Sequence, residues 1–174
     1  CGKGTQANIL KENILPDLII LTVSSLLKEK SQDESVLGKD IKNKMDNGDL
    51  IEDTVVISVL KEKVNTLSNE QILIDGFPRS SIQADSLLEI FENKDLSIIN
   101  FDVDDDQLLQ RIKKRSMEES RADDSFFEKR LQIYKKSHLE ILNSLKKNYS
   151  VTDIPANDEI SSVTTKIIDK LGLN

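Results

Sequence analysis

Three short segments hold residues whose types and spacing suit phosphate chemistry. Gly2-Lys3-Gly4-Thr5 opens a helix-like stretch. Backbone N–H groups at a helix N-terminus converge on anions, glycines let a phosphate approach the backbone, and a lysine reaches its outer oxygens. The tetrapeptide reads as the second half of a phosphate-binding loop; a simple flexible N-terminus also accounts for it. Asp75-Gly76-Phe77-Pro78-Arg79 follows the apolar run Ile72-Leu73-Ile74, which puts Asp75 at the C-terminal edge of a strand. In an open parallel sheet that edge is where ligands bind. A carboxylate there can hold magnesium through water, and an arginine beside it can fork onto a phosphate. The same five residues also suit a plain Asp-Gly turn followed by a proline that opens a helix.

The third set is Arg111, Arg115, Arg121 and Arg130, four arginines within 20 residues around a polar loop. Arg111 and Arg115 stand four apart and so share one helical face. Phosphoryl transfer needs several fixed cations around the migrating group, on a segment that closes and excludes water. Acidic residues interleave with these arginines, so a salt-bridged helical hairpin fits as well. The order of the three sets along one chain favours the phosphate reading.

The elements that must position these residues alternate. Helices are expected over 6–12, 23–30, 36–47, 52–67, 82–91, 104–114, 124–147 and 159–171, and strands over 18–21, 71–74, 98–103 and 150–154. In the fourth helix Val56, Val59, Leu60 and Val64 form an apolar stripe at helical spacing. Strands separated by helices imply parallel pairing and an α/β fold, with a parallel sheet flanked by helices. A phosphate-binding loop is built as strand, loop and helix in sequence, and here the helix begins almost at once. The first strand is therefore expected to be missing from this chain, with roughly ten residues upstream: a run rich in Val, Ile and Leu, then a glycine-rich turn completing the loop at Gly2-Lys3.

Composition narrows the classes. The chain has 174 residues, a formal charge of −7, 37% apolar and 32% charged residues. That length suits one globular domain, expected over residues 1–174. The single cysteine, Cys1, excludes an internal disulfide framework and a four-cysteine zinc site. No apolar run approaches the roughly 18 residues of a membrane span, and no signal peptide is expected. The acidic balance argues against general nucleic-acid affinity. A cytoplasmic location is expected, as is a monomer.

The motifs resemble the adenylate kinase family of nucleoside monophosphate kinases over essentially the whole chain. Gly2-Lys3-Gly4-Thr5-Gln6, Leu37-Gly38-Lys39, Gly48-Asp49-Leu50, Leu73-Ile74-Asp75-Gly76-Phe77-Pro78-Arg79 with Gln83-Ala84, Arg111-Ile112 to Arg115, Arg121-Ala122-Asp123-Asp124 and Arg130-Leu131 to Tyr134 occur in that family's order. The resemblance implies a P-loop core with a five-stranded parallel sheet, a helical monophosphate-binding subdomain at about 22–56 and a lid at about 115–122. It implies reversible transfer of the γ-phosphoryl of magnesium-bound ATP to a nucleoside monophosphate, with Mg2+ as cofactor and ATP, AMP and ADP as its small-molecule partners. Lys3 would contact the donor phosphates, with Gly2, Gly4 and Thr5 around them. Asp75 would help place hydrated magnesium. Arg79 would grip the acceptor's phosphate, in a site that also includes Thr22 and Lys28, and Gln83 would hydrogen-bond its base. Arg111, Arg115, Arg121 and Arg130 would surround the phosphates during transfer.

Only five residues separate Arg115 from Arg121, which resembles the short-lid members. Gln83 resembles the base-reading residue of adenylate kinases, whereas pyrimidine monophosphate kinases usually carry asparagine near here, so AMP is the expected acceptor. One stretch departs from the family. Where it reads Ser-Thr-Gly-Asp-Leu-Leu-Arg, this chain has Thr22-Val23-Ser24-Ser25-Leu26-Leu27-Lys28. Lysine keeps the charge of the expected arginine and loses its bidentate fork. The departure leaves open a catalytically weak or inactive nucleotide-binding domain with a regulatory role, or a UMP/CMP-type kinase. His138, in mid-helix, reads as a surface or half-buried histidine.

Overall fold

The computed structural model describes residues 2–67, 70–92, 95–111 and 127–173, with residues 127–136 described by their backbone alone. Its contacts divide the chain into two compact units, Leu15–Leu96 and, from both ends of the sequence, Cys1–Ile14 with Ser97–Asn174.

The Leu15–Leu96 unit is built on a parallel pair. Strand β1 (Ile19–Thr22) lies beside β2 (Ile72–Asp75) in the register Ile19↔Ile72 to Thr22↔Asp75. Both strands therefore end at the same level, with Thr22 and Asp75 side by side. Helix α2 (Val23–Lys30) follows without a loop because Thr22 caps it, accepting from the Ser25 N–H at 3.2 Å. Helix α3 (Val36–Asn47) is capped in the same way by Ser35, which accepts from the Gly38 N–H at 3.0 Å. A Cβ on Gly38 would stand 2.4 Å from the Asp33 carbonyl oxygen, so the chain before α3 packs directly on its first turn. Helix α4 (Asp53–Asn65) buries the expected stripe of Val56, Val59, Leu60 and Val64 among Leu21, Leu26, Leu27, Ile41 and Ile90.

After β2 the expected helix over 82–91 is two short ones, α5 (Ser81–Asp85) and α6 (Leu87–Ile90). The break falls at Ser86, whose hydroxyl donates to the Gln83 carbonyl at 2.8 Å and competes with the helical ladder. Nor does Pro78 open a helix. It follows a cis peptide bond from Phe77, and the cap of α5 is Ser80, which accepts from the Gln83 N–H at 3.1 Å.

In the other unit α1 (Lys3–Asn13) packs on α9 (Ile160–Leu171), and β3 (Ile98–Asp102) runs parallel to β4 (Val151–Pro155). Between them in sequence come α7, described over residues 105–111, and α8 (Phe127–Asn148). Ala7, Leu10, Ile154, Val163 and Ile167 are buried. Gln6 is buried too and is satisfied: its Nε2 donates to the Ile160 carbonyl at 3.0 Å and its Oε1 accepts from the Thr164 hydroxyl at 2.8 Å. Helices and parallel strands alternate through the described residues. Among the described residues the strands form two separate parallel pairs, where a single sheet was expected. The hydrogen bonds of each pair close within its own unit.

Candidate functional site

Each unit presents its own set of predicted residues. In the Leu15–Leu96 unit, Asp75 ends β2 and is half-buried. Gly76 turns the chain there at φ +88°, where a side chain is strained. A Cβ at that position would also stand 2.8 Å from Arg79 Nη2. The absence of a side chain thus lets the Arg79 guanidinium fold back over the turn, where its Nε–H donates to the Gly76 carbonyl at 2.9 Å. Nη1 and Nη2 have no protein acceptor among the described residues, so the fork remains available.

Gln83 is 5% exposed, and both ends of its carboxamide are engaged. Its Oε1 accepts from the Arg79 backbone N–H at 2.7 Å, and its Nε2 donates to Asp53 Oδ1 at 2.6 Å. Asp53 Oδ2 accepts from the Ser80 hydroxyl at 2.7 Å. Sequence reasoning missed Asp53. Its partners lie 27 and 30 residues away, and an aspartate opening a helix invites only a dipole reading.

Thr22 donates its hydroxyl to Ser25 Oγ at 2.6 Å while capping α2. Lys28 and Lys30 both lie in the last turn of that helix but differ in their company. Lys30 pairs with Glu62 and Asp33, both at 3.1 Å; its pKa is raised above 10.5 by Glu62 first and Asp33 second. Lys28 is exposed and has no hydrogen-bond or ion-pair partner among the described residues. Among the described residues nothing holds its ammonium in competition with a phosphate.

In the other unit, Gly2 sits at φ +86° as the N-cap of α1, and Lys3, Gly4 and Thr5 form the first turn. The first turn of a helix leaves its N–H groups without intrahelical acceptors, which favours an anion there. The Arg111 guanidinium lies beside this turn: Nη1 is 3.9 Å from where a Cβ on Gly2 would stand, and Nη2 donates to the Ala156 carbonyl at 2.8 Å. His138, half-buried on α8, is within electrostatic reach. Burial holds its pKa below the ordinary 6.5, the charge of Lys3 lowers it further, and Asp102 opposes both. Arg130 falls on α8, described there by its backbone. Arg115, Arg121 and Cys1 lie outside the described residues, as does the expected lid.

A family model described as adenylate kinase matches residues 1–150. The chain belongs to the adenylate kinase family. The adenylate kinase of Prochlorococcus marinus (strain MIT 9211) is 30% identical over 177 residues, covering 99% of this chain and 92% of its own. That of Leptospira biflexa serovar Patoc (strain Patoc 1 / Ames) is 30% identical over 176 residues, covering 98% and 94%. That of Flavobacterium psychrophilum is 33% identical over 180 residues, again covering 98% and 94%.

Membership of the adenylate kinase family makes the chain a nucleoside monophosphate kinase, a nucleotide-binding transferase of P-loop fold with ATP as phosphoryl donor. Both the expected fold class and the expected enzyme class are borne out. No helix among the described residues is long and apolar enough to cross a membrane. The expected monophosphate-binding subdomain, at 22–56, falls wholly within the Leu15–Leu96 unit.

Proposed function

We propose that this chain transfers the γ-phosphoryl of Mg-ATP reversibly to AMP, ATP + AMP giving two ADP. The observation that carries the acceptor side is the Arg79 fork, tethered through Nε to the turn after β2, with neither Nη group bonded to an acceptor among the described residues. A guanidinium so anchored can grip a phosphate bidentately without losing its place. Thr22 and Lys28 complete the acceptor's phosphate site, with a point charge in place of a second fork. Gln83 keeps one amide N–H and one carbonyl lone pair after its bonds to Asp53 and Arg79, a donor–acceptor pair suited to the edge of adenine. On the donor side, Lys3 binds the outer phosphates, Gly2, Gly4 and Thr5 surround them, and Arg111 is held beside them by Ala156. Arg115, Arg121 and Arg130 complete the cationic set, on a lid at about 115–122, with the monophosphate subdomain at about 22–56.

Among the described residues no three acidic, histidine or cysteine side chains form a metal cage. A hydrated magnesium needs none, because one carboxylate and the nucleotide's own phosphates suffice. Asp75 fits that role: half-buried at the strand end, it has no protein partner among the described residues. Asp75 would hold such an ion through water, and the ion would supply neutralisation of the nucleotide's phosphate charge. No side chain need act as a strong base, because the accepting phosphate oxygen is already ionised. Catalysis is positioning and charge neutralisation. The reading implies a monomer acting on free nucleotides in the cytoplasm, where ATP and AMP meet, without nucleic acid or membrane as partner.

A coupled assay of ADP formation from ATP with AMP, CMP or UMP, with magnesium and with chelator, tests this. Turnover that requires both AMP and magnesium is expected. Preference for CMP or UMP would reassign the acceptor, and binding of nucleotides without turnover would make the chain a nucleotide-binding domain.

A further inference from the structure

Asp53 opens α4 and has no place in the site as drawn so far, yet it holds two residues of the turn that carries Arg79. A carboxylate only accepts hydrogen bonds. Oδ2 therefore dictates that the Ser80 hydroxyl donates to it at 2.7 Å, which leaves a Ser80 lone pair to cap α5 at the Gln83 N–H. Oδ1 dictates that Gln83 turns its NH2 towards Asp53 at 2.6 Å. The two ends of a carboxamide are alike in shape, and only the partners decide which way it faces. With the NH2 so committed, the carbonyl Oε1 is left to accept from the Arg79 N–H at 2.7 Å. The carboxylate at one end and the Arg79 N–H at the other thus agree on the polarity of the whole chain of bonds. Gln83 is buried, and among the described residues Asp53 is the acceptor that holds its NH2 while the Arg79 N–H holds its Oε1.

We propose that Asp53 is a positioning residue for the acceptor side: it fixes the orientation of the Gln83 carboxamide and the backbone carrying Arg79, and so sets affinity for the monophosphate and discrimination at its base. This rests on the reading that Arg79 and Gln83 bind AMP. Without Asp53 the amide NH2 loses its acceptor, and the carboxamide is held at its oxygen end alone. Its available donor and acceptor are then less sharply placed, and the pattern that matches adenine discriminates less against a 6-oxopurine.

The test compares Asp53→Ala, Asp53→Asn and the core variant Val64→Ala, which opens a cavity at a fully buried position in the same unit without touching the turn. Asp53→Ala is expected to raise KM for AMP by about tenfold with KM for ATP changed by less than about twofold, and to narrow the preference for AMP over IMP. Asp53→Asn keeps an oxygen for the Gln83 NH2 and should stay within about threefold of the parent. Val64→Ala, compared at a matched fall in Tm, should leave both constants and the AMP/IMP ratio unchanged. If Asp53→Ala does not fold at the assay temperature, Asp53→Ser carries the same expectation, since its short hydroxyl cannot span both contacts. The proposal is overturned if Asp53→Ala (or Asp53→Ser in its place) leaves KM for AMP and the AMP/IMP ratio as in the parent, or follows Val64→Ala at equal Tm. A parent that shows no AMP-dependent turnover overturns the acceptor reading itself, and the role of Asp53 with it. A parent that turns over normally while Asp53→Ala or Asp53→Ser matches it overturns the role of Asp53 alone.

Discussion

Arg79 and Arg111 are each tethered by one backbone carbonyl, but the tethers differ in kind. Arg79 reaches back three residues to Gly76, whereas Arg111 reaches a carbonyl 45 residues further along the chain, at Ala156. The first contact belongs to a local turn, and the second exists only once β4 has folded beside β3. A locally built grip survives loosening elsewhere in the molecule, while a long-range one follows the stability of its unit. Arg79 also keeps its terminal fork, whereas Arg111 uses an Nη nitrogen for its tether.

The comparison is broken most directly at Arg79. Arg79→Ala removes the fork and leaves a bound phosphate unneutralised, which should remove about 2–5 kcal/mol of transition-state stabilisation, by analogy with truncating one partner of a buried charge pair. The fall in kcat/KM for AMP measures it. Activity within about threefold of the parent would show that another residue carries the acceptor's phosphate.

A pair of alanine substitutions separates backbone strain from displacement of the guanidinium. Gly2 and Gly76 have nearly the same backbone, φ +86° and φ +88°. Placing a side chain at either should cost roughly 1–2 kcal/mol of stability. Their surroundings differ: the new Cβ would meet Arg111 Nη1 at 3.9 Å, an ordinary contact, but Arg79 Nη2 at 2.8 Å, an overlap. Gly76→Ala must therefore push the Arg79 fork aside as well, and should raise KM for AMP about tenfold. Equal thermal shifts with a selective rise in KM for AMP in Gly76→Ala are expected. An unchanged KM for AMP would mean that the Gly76 tether does not set the fork.

Lys28 sharpens the same point from the side of a single charge. It occupies the place of an arginine in the family and has no protein partner among the described residues, in contrast to Lys30 two residues on. Lys28→Arg restores a fork and should lower KM for AMP by about three- to tenfold, with that for ATP little changed. An unchanged or raised KM for AMP would remove Lys28 from the site.

What was legible in the sequence follows the same division between local and long-range contacts. Helices α2 and α3 begin where expected because Thr22 and Ser35 cap them from the adjacent residue. Asp75 was legible as a strand end because an Asp-Gly turn stops the apolar run at once. The break at Ser86 was not, since serine serves equally well in an exposed helix, and only its hydroxyl bond to Gln83 decides. Asp53 was hidden for a different reason. Its role consists of two hydrogen bonds to a turn that folds onto α4, and no local pattern records them. The departure at residues 22–28 was visible as sequence, yet the freedom of Lys28 is a matter of which neighbours reach it.

The smallest expected effect concerns His138, whose electrostatic link to Lys3 no spacing announces. Burial and the Lys3 charge hold its pKa below 6.5 in the folded protein, against the pull of Asp102. The unfolded chain then binds more protons than the folded one between the lowered value and 6.5, so stability rises with pH across that window and is lost as pH falls through it. Glu52, Asp153 and Asp158 have the same sign, but their windows lie below the ordinary 4.5 and 3.8 of their carboxyls. A comparison of Tm at about pH 7.5 and pH 5.5 should therefore isolate the histidine. His138→Gln, which cannot titrate, should lose less Tm over that interval than the parent. Lys3→Met removes the repelling charge and should move the imidazole's pKa, read by NMR titration, back towards 6.5. Because burial is the larger cause, that shift should be partial. A pKa that does not move at all in Lys3→Met would place the ammonium out of reach of the imidazole, and would remove His138 as a reporter of charge at the first turn of α1.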